Sequence, residues 1–137
     1  MGGNAELINR FYDEIIGSGN VDLIDELASD DIVDHEEGFP GQPPGKEGVK
    51  FFVNAMRQGF PDIKATVDVT LDQGELAAGR TILRGTHQGE FMGVPASNKP
   101  IEVETIDIIR VVDGRVAEHW GVTDTMGLMQ QIGAIPE

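Results

Sequence analysis

Residues 107–124 read DIIRVVDGRVAEHWGVTD, and this stretch predicts two antiparallel strands joined by a tight turn. Asp113-Gly114 stands between two runs rich in β-branched residues, which is typical of a two-residue type I′ hairpin. Because such a turn fixes the pairing of the strands, it also predicts which residues lie opposite each other. The facing pairs expected on one side are Ile109 with Glu118, Asp107 with Trp120, Thr105 with Val122 and Val103 with Asp124.

This pairing predicts different chemistry on the two sides of the hairpin. Asp107, Trp120 and Asp124 share one side with apolar side chains, whereas His119 is expected on the opposite side. A few polar groups set into an apolar wall are typical of a small-molecule pocket. Burial there would raise the pKa of a carboxyl group towards the range useful for acid–base catalysis. The hairpin therefore predicts one wall of a binding or reaction pocket.

Each candidate residue also has a structural interpretation. Asp124 ends a strand and precedes a predicted helix, so it is equally suited to be the N-cap of that helix. Asp107 could be a buried acid whose hydrogen bonds are satisfied by the indole of Trp120 or by a backbone amide. His35 and His87 each stand alone in the sequence, and the side of the sheet on which His87 lies stays open.

The rest of the chain predicts helices first and strands second. Apolar residues spaced three and four apart predict helices at 5–16, 21–29 (with Asn20 as its N-cap), 46–60 and 126–132. Alternating patterns predict strands at 64–74, 75–91, 100–112 and 114–124, and residues 30–38 form a short extended segment before a Pro/Gly-rich loop at 39–45. This order predicts an α+β fold in one domain, residues 1–137, with helices on one face of a curved sheet that forms a cone with one open mouth.

Composition excludes several classes of function. The chain has 137 residues and a net charge of −14, with only ten Lys and Arg, so nucleic acids and anionic membranes are not expected partners. Cysteine is absent, which excludes disulfides and thiolate chemistry and suits the cytoplasm. We expect no secretory signal and no membrane span. The three His show no metal-ligand spacing, and no nucleotide-binding or serine-hydrolase motif occurs, so we expect no metal.

Seven segments together resemble the SnoaL-like polyketide cyclases of the nuclear-transport-factor-2-like superfamily. These segments are LINRFYDEII at 7–16, DH at 34–35, GKEGVKFF at 45–52, GFPD at 59–62, GTHQGEFMGVP at 85–95, the hairpin at 107–124 and GLMQQIG at 127–133. The resemblance implies a cone-shaped, antiparallel or mixed curved sheet packed against N-terminal helices (a cystatin-like α+β barrel). It also implies a homodimer, for which we expect the outer sheet face with Ile106 and Ile108 to be used.

The resemblance further implies a cofactor-independent aldol-type ring closure of a polyketide ester, a small apolar or polycyclic substrate. In that reaction the family's acid–base residue corresponds to Asp124, and His35, His87, Asp107 and Trp120 correspond to pocket positions. Two alternatives stay open within the same fold. One is a binding or dimerisation module without catalysis, and the other is a ketosteroid-isomerase-like enzyme in which Tyr12 would lie in the pocket and donate a hydrogen bond.

Overall fold

The computed structural model describes residues 3–136 and shows helices packed against one face of a five-stranded sheet. The helices are α1 (Glu6–Arg10), which continues as a π-helical segment (Phe11–Gly17), then a 3-10 turn (Val21–Leu23), α2 (Ile24–Leu27), α3 (Gly45–Gly59) and α4 (Thr125–Gln131). The strands are β1 (Ala28–Asp34), β2 (Lys64–Gln73), β3 (Leu76–Thr86), β4 (Pro100–Val112) and β5 (Arg115–Thr123). No helix among residues 3–136 is long and apolar enough to cross a membrane.

The sheet has the strand order β1-β5-β4-β3-β2, in which β1 runs parallel to β5 and the other neighbours are antiparallel. Burial alternates along β4, so that one face of the sheet lies under the helices and the other faces outwards. The buried core contains Ile15, Ile16, Met56, Phe60, Leu83, Phe91 and Val103. The predicted α+β fold with a mixed sheet is therefore confirmed.

Two local predictions for helices and strands differ from the structure. The helix predicted at 21–29 ends at Leu27, because Ala28 adopts an extended conformation (φ −107°, ψ 143°) and begins β1. Asn20 is the N-cap residue of the 3-10 turn that begins this segment, as predicted, but its side chain makes no capping hydrogen bond. The strand predicted at 75–91 ends at Thr86, because the next backbone N–H groups donate to Lys99 and Gly59 instead of to a neighbouring strand.

The type I′ turn is confirmed, since Asp113 and Gly114 have φ values of 53° and 77°. The pairing predicted beyond the turn is wrong, however, because a β-bulge lies between Val116 and Glu118 and makes Ala117 an extra residue on β5. After the bulge the facing pairs are Arg110 with Glu118, Ile109 with His119, Ile108 with Trp120 and Asp107 with Gly121. His119 therefore shares the inner face with Asp107, and Trp120 lies on the outer face.

Candidate active site

A pocket of about 600 Å³ lies between the helices and the inner face of the sheet. This volume falls within the usual range for small-molecule sites. Its apolar lining includes Leu7, Phe11, Ile15, Ile24, Leu27, Ile32, Phe39, Val49, Phe52, Met92, Ile109 and Val116. Its titratable lining residues are Tyr12, Asp34, Glu36, Glu37, Asp107 and His119. The pocket thus combines an apolar chamber with a group of acids around one imidazole.

His119 lies at the centre of this group, between two carboxylates. Its Nδ1 is 2.8 Å from Oδ1 of Asp34 and its Nε2 is 2.8 Å from Oδ1 of Asp107. Burial alone would lower the pKa of His119, but the hydrogen bonds and charges of Asp107 and Asp34 outweigh it and raise the pKa to about 10. His119 is therefore an imidazolium at neutral pH and donates from both nitrogens.

The pairing of strands brings these three side chains together. β1 runs beside β5 with Asp34 next to His119, and β4 lies on the other side of β5 with Asp107 opposite Gly121. Burial would raise the pKa of Asp34, but the hydrogen bond from His119 and its charge bring that pKa below its usual range. Asp34 is therefore an anion at neutral pH.

Tyr12 joins the network from the helical side. It lies in the π-helical segment, is only 5% exposed, and donates from its hydroxyl to Oδ2 of Asp107 at 2.5 Å. Burial, followed by the charge of Asp107 and this hydrogen bond, raises the pKa of Tyr12 well above its usual value. The phenol is therefore a permanent donor, and both oxygens of Asp107 are occupied.

Glu36 follows β1 and reaches the same part of the pocket. Its Oε2 accepts a hydrogen bond from the Thr123 hydroxyl at 3.0 Å, and its Oε1 lies 4.0 Å from Nε2 of His119. Burial raises the pKa of Glu36, while the Thr123 hydrogen bond and the His119 charge lower it and the anions Asp107 and Asp34 raise it further. The result is a carboxyl group with a pKa above its usual range.

Glu36, Asp107 and His119 also offer one possible metal-ligand atom each within 4.8 Å of one another. A histidine nitrogen binds a metal through a free lone pair, which requires a neutral ring. His119 carries protons on both nitrogens and donates both to carboxylates. A metal at these atoms would therefore have to displace the proton that Nε2 of His119 shares with Asp107.

The structure separates the residues that the sequence grouped together. Tyr12 and Asp107 line the pocket and contact each other. His35 and Trp120 lie outside the pocket lining, where their rings stack with centroids 5.0 Å apart and His35 Nε2 lies 2.7 Å from Oε2 of Glu118. His87 is fully buried next to Phe60, with its Nδ1 2.9 Å from the Ser97 hydroxyl, and it is also outside the pocket lining.

Asp124 lies at the exposed end of β5 and is not among the pocket-lining residues. Its Oδ1 accepts a hydrogen bond from the backbone N–H of Gly127 at 2.9 Å, so it is the N-cap of α4. This geometry matches the structural interpretation of its sequence position. Whether Asp124 also takes part in a reaction stays a prediction.

Sequence reasoning missed three residues of the network, namely His119, Asp34 and Glu36. His119 was placed on the wrong face because a bulge leaves no clear trace in an alternating pattern. Asp34 meets His119 through a parallel strand pair, whose alignment depends on the long connection between β1 and β5. A local signal links Glu36 to Asp34, because an Asp commonly accepts a hydrogen bond from the backbone N–H two residues later. This spacing could have indicated that the two carboxylates lie close together.

Comparisons with known proteins agree with this architecture. The family model described as SnoaL-like polyketide cyclase matches residues 6–132. Aklanonic acid methyl ester cyclase DauD from Streptomyces sp. (strain C5) is 32% identical, over 97% of this chain and 83% of its own length. Nogalonic acid methyl ester cyclase from Streptomyces nogalater is 24% identical, over 85% of this chain and 87% of its own length.

The same resemblance holds in three dimensions. The crystal structure of IdmH from Streptomyces antibioticus superimposes with a TM-score of 0.81 and 35% identity, covering 96% of this chain and 99% of IdmH. TsrD from Streptomyces laurentii superimposes with a TM-score of 0.83 and 27% identity, covering 95% of this chain and 94% of TsrD. The family match spans both the helices and the strands that build the pocket. The chain belongs to the SnoaL-like polyketide cyclase family.

Proposed function

We propose that this protein closes a ring in a polyketide ester by a cofactor-independent, intramolecular aldol reaction in the pocket. A proton leaves a carbon between two carbonyl groups, and the resulting enolate carbon attacks a ketone in the same molecule. A new C–C bond forms and the ketone oxygen takes up a proton, so the product is an isomer of the substrate. The reaction needs only a proton acceptor, a proton donor and an apolar chamber that orients the substrate.

One observation supports this proposal above the others: the acids, the imidazolium and the phenol form one hydrogen-bonded network in the wall of an apolar pocket. The network of Asp34, His119 and Asp107 carries a net negative charge, because two carboxylates share one imidazolium. This surrounding charge makes a neighbouring carboxylate a stronger proton acceptor. The enolate itself is stabilised by delocalisation over the carbonyl groups of the substrate.

The direct test is to incubate the protein with aklanonic acid methyl ester and nogalonic acid methyl ester, and to look by mass-resolved chromatography for a product of unchanged mass. We expect conversion above the buffer rate, and we expect Asp107→Asn to lower kcat on the order of 10²-fold because it disrupts the contacts to His119 and Tyr12. Asp31→Asn makes the same chemical change at an exposed position of β1 and should have no effect. A folded wild-type protein that converts neither ester would contradict the proposal.

A second candidate function is supported by the contact between Tyr12 and Asp107. A buried tyrosine beside an acid in an apolar pocket is the pair of residues expected of a ketosteroid-isomerase-like enzyme, in which the phenol would donate to the substrate oxygen instead of to Asp107. That reaction moves a double bond in an unsaturated ketosteroid and is followed by the absorbance of the conjugated product. Turnover of such a steroid at a rate above that of both polyketide esters would favour the isomerase over the cyclase.

We also propose that two copies of the chain associate through the outer sheet face. Its exposed apolar residues include Val69, Leu71, Ile106, Ile108 and Val122. Around them Arg80, Arg84 and Arg110 form ion pairs with acids, which offsets part of the negative charge of this face. Light scattering after size exclusion should give a dimer mass for the wild type and a monomer mass for Ile106→Glu, and a monomeric wild type would refute the dimer.

A further inference from the structure

We propose that Glu36 is the carboxylate that exchanges the proton with the substrate, and that residue 121 is a glycine because Glu36 occupies the space beside it. This inference rests on the proposed function of the pocket and adds the group that performs its central step. Glu36 removes the proton from the activated carbon, and the resulting enolate carbon attacks the ketone. The acid formed on Glu36 then returns the proton to the new alkoxide, so that no proton is gained or lost overall.

The other carboxylates of the network are already engaged. Asp34 accepts from His119 and from the N–H of Glu36 on the same oxygen, and the hydrogen bond and charge of His119 hold its pKa below its usual range, which makes it a weaker base. Asp107 accepts from His119 on one oxygen and from Tyr12 on the other. In Glu36, Oε2 is held by the Thr123 hydroxyl, and no hydrogen bond reaches Oε1 from any residue in the range 3–136. Glu36 therefore combines one anchored oxygen with one oxygen that is available to a substrate.

The backbone ties the position of Glu36 to the network. The N–H of Glu36 donates to Oδ1 of Asp34 at 3.0 Å, and the same oxygen lies 2.8 Å from Nδ1 of His119. The Glu36 side chain is 21% exposed, which leaves it partly desolvated yet reachable from the pocket that it lines. A proton acceptor has to be both positioned and reachable, and Glu36 meets these two conditions.

Gly121 provides the space for this arrangement. A Cβ atom at residue 121 would lie 2.7 Å from Oε1 of Glu36, 2.9 Å from Oδ1 of Asp107 and 2.9 Å from Cε1 of His119. All three separations are below 3.0 Å, which real Cβ atoms essentially never show, so a side chain at residue 121 would conflict with Glu36, Asp107 and His119 together, and most closely with Glu36. The Glu36 carboxylate is the end of a flexible side chain and would be displaced first. Glycine at residue 121 therefore leaves the space that the Glu36 carboxylate occupies.

The electrostatic surroundings suit a base. Burial raises the pKa of Glu36, and of the groups that face it Asp34 and Asp107 raise it while His119 lowers it. Tyr12 stays neutral because its own pKa lies well above its usual value. A carboxylate whose pKa is raised above its usual range is a stronger proton acceptor than an ordinary glutamate.

The test compares Glu36→Gln, which keeps the size of the side chain and the Thr123 contact, with Glu47→Gln at an exposed position of α3. On an ester that the wild type converts, we expect Glu36→Gln to lower kcat on the order of 10²-fold or more with little change in KM. It should also abolish exchange of deuterium from D₂O into the activated carbon. Glu47→Gln should match the wild type in both measurements.

Two further readouts separate catalysis from a structural role. The wild-type profile of kcat/KM against pH should have an acid limb that reports a raised pKa, and Glu36→Gln should lack that limb. Gly121→Ala keeps the Glu36 carboxylate but displaces it, and it should lower kcat at least about tenfold in a protein that still folds by circular dichroism. Shortening the side chain in Glu36→Asp should give an intermediate loss.

The possible outcomes distinguish this inference from the proposed function. A folded Glu36→Gln protein with wild-type kcat, deuterium exchange and pH profile would overturn the role of Glu36 and leave the cyclase proposal standing. A wild type that neither converts any ester nor exchanges deuterium would overturn both. Loss of turnover and of the acid limb in Glu36→Gln, together with normal behaviour of Glu47→Gln, is the result that we expect.

Discussion

At the scale of single residues, His119 connects the pocket to the stability of the protein. Its pKa is about 10 in the folded state against an ordinary value of 6.5, so folding favours its protonated form. The stabilisation of the folded state by protonated His119 is fully present below pH 6.5 and is lost as the pH rises through about 10. Each unit of pKa difference corresponds to roughly 1.4 kcal/mol, so the contribution at neutral pH is on the order of several kcal/mol.

We therefore expect the free energy of unfolding of the wild type, measured with urea, to fall steadily between pH 7 and pH 10. His119→Gln should be less stable at pH 7 and should show a flatter dependence over the same range. The two proteins should then converge in stability near pH 10 to 11. Parallel curves for wild type and variant across this range would show that His119 is not held as a cation.

Asp124 supports a second prediction at this scale. Because its side chain caps α4, Asp124→Ala should lower the free energy of unfolding by about 1 kcal/mol, whereas Asn retains a capping oxygen and Asp124→Asn should cost little. We expect both variants to keep wild-type turnover of a converted ester. A fall in kcat on the order of 10²-fold for a folded Asp124→Asn protein would instead assign Asp124 to the reaction.

Sequence reasoning predicts Asp107 in the pocket from the hairpin and the resemblance, and Tyr12 there only in the ketosteroid-isomerase-like alternative; both residues line the pocket. For Asp124 it offers an acid–base role and a capping role, and the structure contains the cap. It could not find the contact between Asp34 and His119, because that contact depends on two strands far apart in the sequence. Its error over Trp120 followed from extending an ideal pairing past a bulge.

At the scale of elements, the β-bulge at Ala117 decides which side chains of β5 enter the pocket. Without the extra residue, an unbroken pairing from the turn would bring Trp120 to the inner face and move His119 outwards. We expect deletion of Ala117 to cost at least about 3 kcal/mol, because it forces either a shifted turn or an exchange of the two faces. The protein should also lose the dependence of its stability on pH between 7 and 10.

The matched control is Ala117→Gly, which keeps the length of the strand and should cost only about 1 kcal/mol. Thermal unfolding followed by circular dichroism measures both variants. A deletion variant with wild-type stability and wild-type turnover would show that the bulge does not determine the pairing.

The elements themselves were largely predictable. The helix at 46–60 and the strands on either side of Asp113 carry strong periodic patterns, and the structure contains them within one or two residues. The second helix was predicted two residues too long. Residues 28–30 contain only one apolar side chain, so their pattern does not distinguish the end of a short helix from the start of a strand. The π-helical segment that positions Tyr12 was not predictable, since apolar spacing does not resolve a single wider turn.

At the scale of the whole molecule, the net charge of −14 opposes the compact state through mutual repulsion of carboxylates. Added salt screens this repulsion, because the Debye length falls from about 10 Å at 0.1 M to about 3 Å at 1 M. We expect the Tm at pH 7 to rise by a few degrees between 0.05 and 0.5 M NaCl. A fall in Tm over this range would mean that the surface ion pairs, which salt weakens, contribute more than the repulsion costs.

The overall architecture followed from the order of helices and strands together with the family resemblance, and both the fold class and the family are confirmed. The pocket as a three-dimensional object did not follow from either, because its walls combine several helical segments, the Pro/Gly-rich loop and the strands β1, β4 and β5. A cone-shaped fold predicts that a chamber exists. The packing of particular side chains decides what the chamber can accept.

The charge of the pocket lining predicts which reactions come before and after ring closure. Its titratable side chains are acids, one tyrosine and one histidine, and neither Lys nor Arg occurs among the lining residues, all of which lie within 3–136. A substrate with a free carboxylate would meet several anions, because the one cation of the lining, His119, already donates to Asp34 and Asp107, whereas its uncharged ester would enter at a much lower cost. Esterification of the carboxylic acid should therefore precede ring closure. Hydrolysis of the ester should follow only after the product has left the pocket.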